Sequence, residues 1–268
     1  MLVNGQHQDS LPIADRAVHY GDGVFETILI KNQQAVLWQQ HLQRLRDACQ
    51  RLSIPLDIAA LENEAQQIIA THKEDCVLKI IVSRGCGGRG YAPPSSPNPS
   101  RILQIHPLAA DYTTHPIRGI KAWKCHHPLS ANPVLAGIKH LNRLDQVMAS
   151  CELPADYQEG LMCDLNGHLV EGIKSNVFLR RNDRWMTPEL DMCGVAGIMR
   201  AWLLTHADQV HVGRIPTQDV LAAQEMFVCN SVFGIWPVVQ LQWGSERREF
   251  EIGKQTKALQ ALLQGSMP

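Results

Sequence analysis

Lys139 lies in Ala136-Gly137-Ile138-Lys139-His140-Leu141-Asn142-Arg143, with apolar Ile138 on one side and Gly137 and Pro133 upstream. A lysine that enters from an apolar side is partly withdrawn from water, which penalises its charged form. The neutral amine is a nucleophile toward carbonyls and can form a Schiff base. A surface lysine ahead of a helix is the plain alternative on these eight residues alone. Glu171 follows on the return arm of a hairpin, between Val170 and Gly172. A carboxylate among apolar neighbours can hold a protonated pyridine nitrogen so that the ring acts as an electron sink. An exposed edge residue is the alternative.

Three further stretches carry anion chemistry. Gly85-Cys86-Gly87-Gly88-Arg89-Gly90 has the G-x-G-x-x-G spacing after a strand. Tyr91-Ala92-Pro93-Pro94 follows where a dinucleotide fingerprint needs a helix, so that reading fails. A flexible loop remains, with Arg84 and Arg89 either solvated or poised as a mobile clamp for carboxylates. Cys193-Gly194-Val195-Ala196-Gly197-Ile198-Met199-Arg200 is a glycine turn entering a helix, whose first N–H groups favour a phosphate. Cys229-Asn230-Ser231 ends a strand with small polar groups that suit the same phosphate or a simple turn. Arg44 sits beside an apolar helical stripe, one turn after His41. His126-His127 in a strand point opposite ways, which argues against a metal pair, and no metal site is expected.

The chain that must position these groups has 268 residues, 45% of them hydrophobic and 19% charged, enough for one large or two modest domains. A formal net charge of -1 gives no global field toward nucleic acid or an acidic membrane. The N-terminus lacks a basic start and apolar core, and no apolar run reaches membrane-span length. The 8 cysteines stand singly without a C-x-x-C pair, which fits free thiols in the cytoplasm.

Alternation predicts strands over 23–30, 35–37, 77–83, 102–105, 120–123, 177–180, 210–212 and 226–229. Helical spacing predicts helices over 39–51, 61–72, 141–151, 198–204 and 259–263. Asn166-Gly167 is a strong hairpin turn between arms 160–163 and 168–172. Four prolines in residues 91–100 mark a loop. Hairpins outnumber βαβ units, so an α+β fold is expected rather than a doubly wound sheet. The expected domains are 1–109, a linker at 110–117, and 118–268.

In this order the motifs resemble the fold-type IV pyridoxal-phosphate enzymes, the family of branched-chain and D-amino acid aminotransferases. The likeness runs through Asp15-Arg16-Ala17, Gly21 to Thr27, His41 to Leu45, Ser83 to Tyr91, Leu135 to Arg143, Asp164 to Glu171, Asn176 to Phe178, Gly194 to Arg200 and Asn230-Ser231. It implies a small N-terminal α/β domain and a larger C-terminal β-barrel-like domain with helices. It also implies pyridoxal 5′-phosphate as cofactor and a homodimer. By position it makes Lys139 the cofactor's anchor and the proton carrier, and Glu171 the partner of the pyridine nitrogen. Arg44, the N–H groups of Ile198 and Met199, Asn230 and Ser231 would hold the phosphate; many relatives have threonine at the position of Ser231. The arginine–glycine loop and the Lys-His-Leu-Asn-Arg run point to the family's lyase branch, hence to a small dicarboxylate substrate held by Arg84, Arg89 or Arg143. Transamination on the same residues, or a phosphate-ligand-binding module without catalysis, are the alternatives.

Overall fold

The computed structural model of the protein describes residues 1–110 and 112–266. Asp111, inside the expected linker, and residues 267–268, at the end of the expected second domain, lie outside the described residues. The described residues divide into two compact units, one of Met1–Leu108 with Ile138–Asn142, the other of residues 109–137 with 143–266.

The first unit runs β1 (Leu2–Val3), β2 (Gln6–His7), α1 (Arg16–Tyr20), β3 (Gly23–Lys31), β4 (Gln34–Ala35), α2 (Trp38–Arg51), α3 (Ile58–Ala70), β5 (Cys76–Ser83) and β6 (Ser100–Pro107). Its antiparallel sheet has the order β2-β1-β6-β5-β3-β4. One face is legible in the burial of Leu78, Ile80 and Val82 on β5 and of Val24, Ile28 and Ile30 on β3. The apolar stripe of α2, Leu42, Leu45 and Cys49, is buried, as period 3.6 requires.

The second unit runs α4 (His115–Arg118), β7 (Ile120–Lys124), α5 (Leu144–Glu152), β8 (Glu159–Cys163), β9 (Leu169–Gly172), β10 (Asn176–Arg181), β11 (Arg184–Pro188), α6 (Ile198–His206), β12 (Val210–Gly213), α7 (Thr217–Leu221), β13 (Glu225–Asn230), β14 (Gly234–Trp243), β15 (Glu246–Glu249) and α8 (Lys254–Ser266). Its sheet has the order β12-β11-β10-β13-β14-β7-β8-β9, with β15 on β14. The sheet curls into a half-barrel, and Leu169 of β9 bridges to Ile215, just past β12. Its core gathers Leu161, Val177, Val228, Trp236 and Leu241. Among the described residues no helix is long and apolar enough to cross a membrane.

The expected helix from 141 begins only at Leu144, because the preceding residues pair with β3 instead. Phe25 N–H donates to Lys139 C=O at 3.0 Å and Leu141 N–H to Gly23 C=O at 2.9 Å. That pairing counts residues 138–142 with the first unit, not with 118–268. The expected strand 35–37 stops at Ala35, since Leu37 takes a left-handed φ of 55° at the start of α2.

Candidate active site

In the first unit the β-rung just described sets Lys139. Its Nζ stands 4.2 Å from the centroid of the Phe25 ring, within cation–π range. Strand alternation points Glu26, the next residue, the other way, into the core at 1% exposure. There it meets α2. Arg44 forks its carboxylate, Nε to Oε1 at 2.7 Å and Nη2 to Oε2 at 2.5 Å, and His41 Nδ1 lies 2.6 Å from Oε2. Burial alone would raise the Glu26 pKa; the Arg44 charge and the bonds from His41 and Arg44 outweigh it and hold the carboxyl at about 2. Arg44, placed by sequence on a solvated or phosphate-binding face, is therefore an oriented and mostly enclosed cation.

Arg84 is not a mobile clamp. Nε and Nη2 bond both oxygens of Asp22 at 2.8 and 3.0 Å, Nη2 also reaches Leu52 C=O, and Nη1 reaches Ser53 C=O. Four of the five guanidinium N–H groups are used inside the protein, which leaves no fork for a substrate carboxylate. The loop it introduces is no free lid either. Arg16 donates to the carbonyls of Gly90, Tyr91 and Ala92 while its Nε holds Asp22. Arg89 stays exposed on that loop, beside a cavity of about 310 Å³ lined by Arg16, His19 and Tyr20.

In the second unit Glu171 is buried at 3% exposure on β9. Val195 N–H donates to Oε2 at 2.8 Å and the Gln146 amide to Oε1 at 3.3 Å. Arg143, half-buried at the head of α5, has its pKa lowered by burial, against the charges of Glu171 and Asp145. The guanidinium thus lies in the field of Glu171, a placement the sequence did not suggest.

The turn before α6 is built to leave that helix open. Gly197 is its N-cap and supplies no side-chain bond. A Cβ there would fall 1.9 Å from Asn176 Oδ1, whose amide is itself fixed on Val195 C=O. Only glycine fits, so among the described residues the N-cap gives the first N–H groups of the helix no side-chain bond. Arg200, in the same turn, has a buried Nε with no hydrogen-bond partner among the described residues. Asn230, expected at the phosphate, spends its amide on shaping a turn: Oδ1 accepts Val232 and Phe233 N–H at 2.9 Å each, and Nδ2 donates to Lys174 C=O. That turn presents Ser231.

The second unit holds a buried carboxylate and a helix start whose N-cap is a glycine; the first unit, by itself, holds an amine over an aromatic ring. The chain belongs to the amino-transferase class IV family, whose family model matches residues 23–241. Pyridoxal 5′-phosphate is the cofactor of these enzymes and of this chain. An aminodeoxychorismate lyase of Vibrio harveyi is 34% identical over 97% of this chain and 98% of its own. The crystal structure of 4-amino-4-deoxychorismate lyase from Pseudomonas aeruginosa is similar with a TM-score of 0.93 and 41% identity, over 99% of this chain and 98% of that one. Escherichia coli branched-chain amino acid aminotransferase superposes with a TM-score of 0.85 over 98% and 93% of the two chains; at 23% identity it shares the fold.

Proposed function

We infer that this chain is an aminodeoxychorismate lyase, which converts 4-amino-4-deoxychorismate to 4-aminobenzoate and pyruvate. The observation that carries this reading is likeness to two lyases of that name at 34% and 41% identity over nearly the whole chain. An aminotransferase at 23% shares the fold without directing the chemistry. We place it as a cytoplasmic homodimer in folate biosynthesis, with light scattering as the test of the dimer.

The residues divide the work. When bound, pyridoxal 5′-phosphate supplies an electron sink for the carbon that gives up its proton. Lys139 Nζ would anchor it and serve as the base that takes the proton from the amine-bearing carbon. That amine stands 4.2 Å from the centroid of the Phe25 ring. Glu171, oriented by Val195 and Gln146, accepts the hydrogen bond of the ring nitrogen. Arg44, the N–H groups of Ile198 and Met199, and the Ser231 hydroxyl hold the phosphate. The substrate's C–O bond to the enolpyruvyl group would then break, the proton taken up by Lys139 would pass to the departing oxygen so that pyruvate leaves as its enol, and the ring would become aromatic. Arg89 or Arg143 would meet the substrate carboxylates.

Incubation of the cofactor-loaded protein with 4-amino-4-deoxychorismate tests the reading through the fluorescence of 4-aminobenzoate and a coupled assay for pyruvate. An aminotransferase would make neither, and would convert its cofactor to the amine form with a keto-acid half-reaction instead. A colourless protein with no borohydride-reducible link would be a binding module.

A further inference from the structure

The Glu26 carboxylate accepts from two residues of one helix face. His41 and Arg44 stand three apart on α2, so both reach the same buried acid on β3. Oε2 is shared between His41 Nδ1 and Arg44 Nη2, and Oε1 completes the fork on Arg44. An ionised carboxylate only accepts, so His41 Nδ1 carries the hydrogen of that bond. In the neutral ring Nε2 is then a lone pair. That nitrogen is buried and has no hydrogen-bond partner among the described residues. Packing alone gives no reason to enclose an acceptor in this way, because a phenyl or leucine side chain would fill the space without the penalty.

We propose that His41 is a positioning residue for Arg44, acting through Glu26, and that it takes up a proton when a phosphate dianion binds at Arg44. The proposal rests on the reading of Arg44 as a phosphate ligand. The charged groups that face His41 are Glu26 on β3, Arg44 on its own helix and Lys139 on the rung beside β3. Burial disfavours the charged imidazole. Glu26 pulls the other way, while Arg44 and Lys139 add to burial. A dianion at Arg44 reverses the sign of the field from that side, so a proton on Nε2 is stabilised rather than opposed. The imidazolium then makes a charge-assisted bond to Oε2 and locks the acid that aims Arg44. Binding and protonation favour each other by the same factor. The loaded state has the higher His41 pKa, so cofactor affinity gains as pH falls through it, by about tenfold for each unit of difference.

The test follows the His41 ring by NMR from pH 5 to 8.5 in the full chain, alone, with inorganic phosphate, with pyridoxal, and with pyridoxal 5′-phosphate. We expect the titration to move up by about half a unit or more with either phosphate and to stay in place with pyridoxal. Calorimetry in two buffers of different ionisation enthalpy then shows more proton uptake in the parent than in His41→Gln; the NMR on the parent stands even where that variant fails to fold. Cofactor affinity unchanged in Arg44→Ala refutes the phosphate reading of Arg44. Weakened affinity in Arg44→Ala with a His41 titration indifferent to phosphate overturns this inference alone.

Discussion

Gly194 stands directly against Glu171: a Cβ on this glycine, whose φ is +83°, would lie 3.3 Å from Glu171 Oε2. The left-handed turn lets the next residue, Val195, aim its N–H at the same oxygen at 2.8 Å. One oxygen of the carboxylate is thus oriented by backbone, the other by the Gln146 amide. In Glu171→Gln an oxygen can still accept from Val195, so the fold and cofactor binding are expected to survive. The charge that answers a protonated ring nitrogen is gone, and kcat is expected to fall on the order of a hundredfold or more. Cofactor titration beside steady-state kinetics checks both halves; unchanged turnover would make Glu171 structural.

Lys139 is expected to be the residue that carries the cofactor. Borohydride reduction of the loaded protein, followed by peptide mass mapping, should put the added mass on the peptide with Ile138 and His140. An adduct on Lys174 or any other lysine would refute the assignment.

Gly197→Ala is expected to weaken the cofactor without unfolding the chain. The new methyl must displace Asn176 Oδ1, 1.9 Å away, and so disturbs the turn that leaves α6 uncapped. A dissociation constant equal to that of the parent would show that the N–H groups of Ile198 and Met199 do not serve the phosphate.

Arg84 and Arg89 separate structure from function. Arg84→Ala removes a buried partner of Asp22 and two carbonyl contacts, and is expected to destabilise the fold by roughly 3 kcal/mol, read from the urea midpoint. Arg89→Ala leaves the midpoint in place and raises KM, if Arg89 holds a substrate carboxylate. A stable, fully active Arg84→Ala protein would contradict the hydrogen bonds in which it is held.

Glu26 sets an acid limit. Its folded pKa, about 2, lies below the ordinary carboxylate value of 4.5. The stability it contributes is therefore present above pH 4.5 and is lost as pH falls toward 2. The melting-temperature gap between the parent and Glu26→Gln should be full at pH 6 and narrow steadily below pH 4.5. A gap that does not change with pH would mean that packing, not charge, is what Glu26 supplies.

Much of this architecture was legible in the chain. The apolar alternation of β3 and β5, the stripe of α2 and the Asn166-Gly167 turn each carry a local periodicity that the structure keeps. β14 was hidden by Pro237, which argues against a central strand. Its pairing with β7 starts only at Val238, so the missing N–H is not needed on that edge. Arg84 read as a loop cation because its acceptors, Asp22, Leu52 and Ser53, lie 31 to 62 residues away in sequence. The acid of the Glu26–His41–Arg44 cluster did leave a signal. A charge at an inward position of an apolar strand, followed by a histidine and an arginine one helical turn apart, implies a buried pair.

For the proposed role of Lys139 as the cofactor's anchor, the rung that joins it to β3 bears on how fast and how tightly the cofactor is captured. Hydrogen bonds on either side of the lysine, Phe25 to its own carbonyl and Leu141 to Gly23, fix the backbone that carries the amine. Ordering a residue in this way costs roughly 1–2 kcal/mol of backbone entropy. Here that loss is incurred when the chain folds, before any ligand arrives, so little more than side-chain freedom remains to be lost on binding. A lysine on a free loop would have to be recruited at each encounter, whereas this one is presented ready.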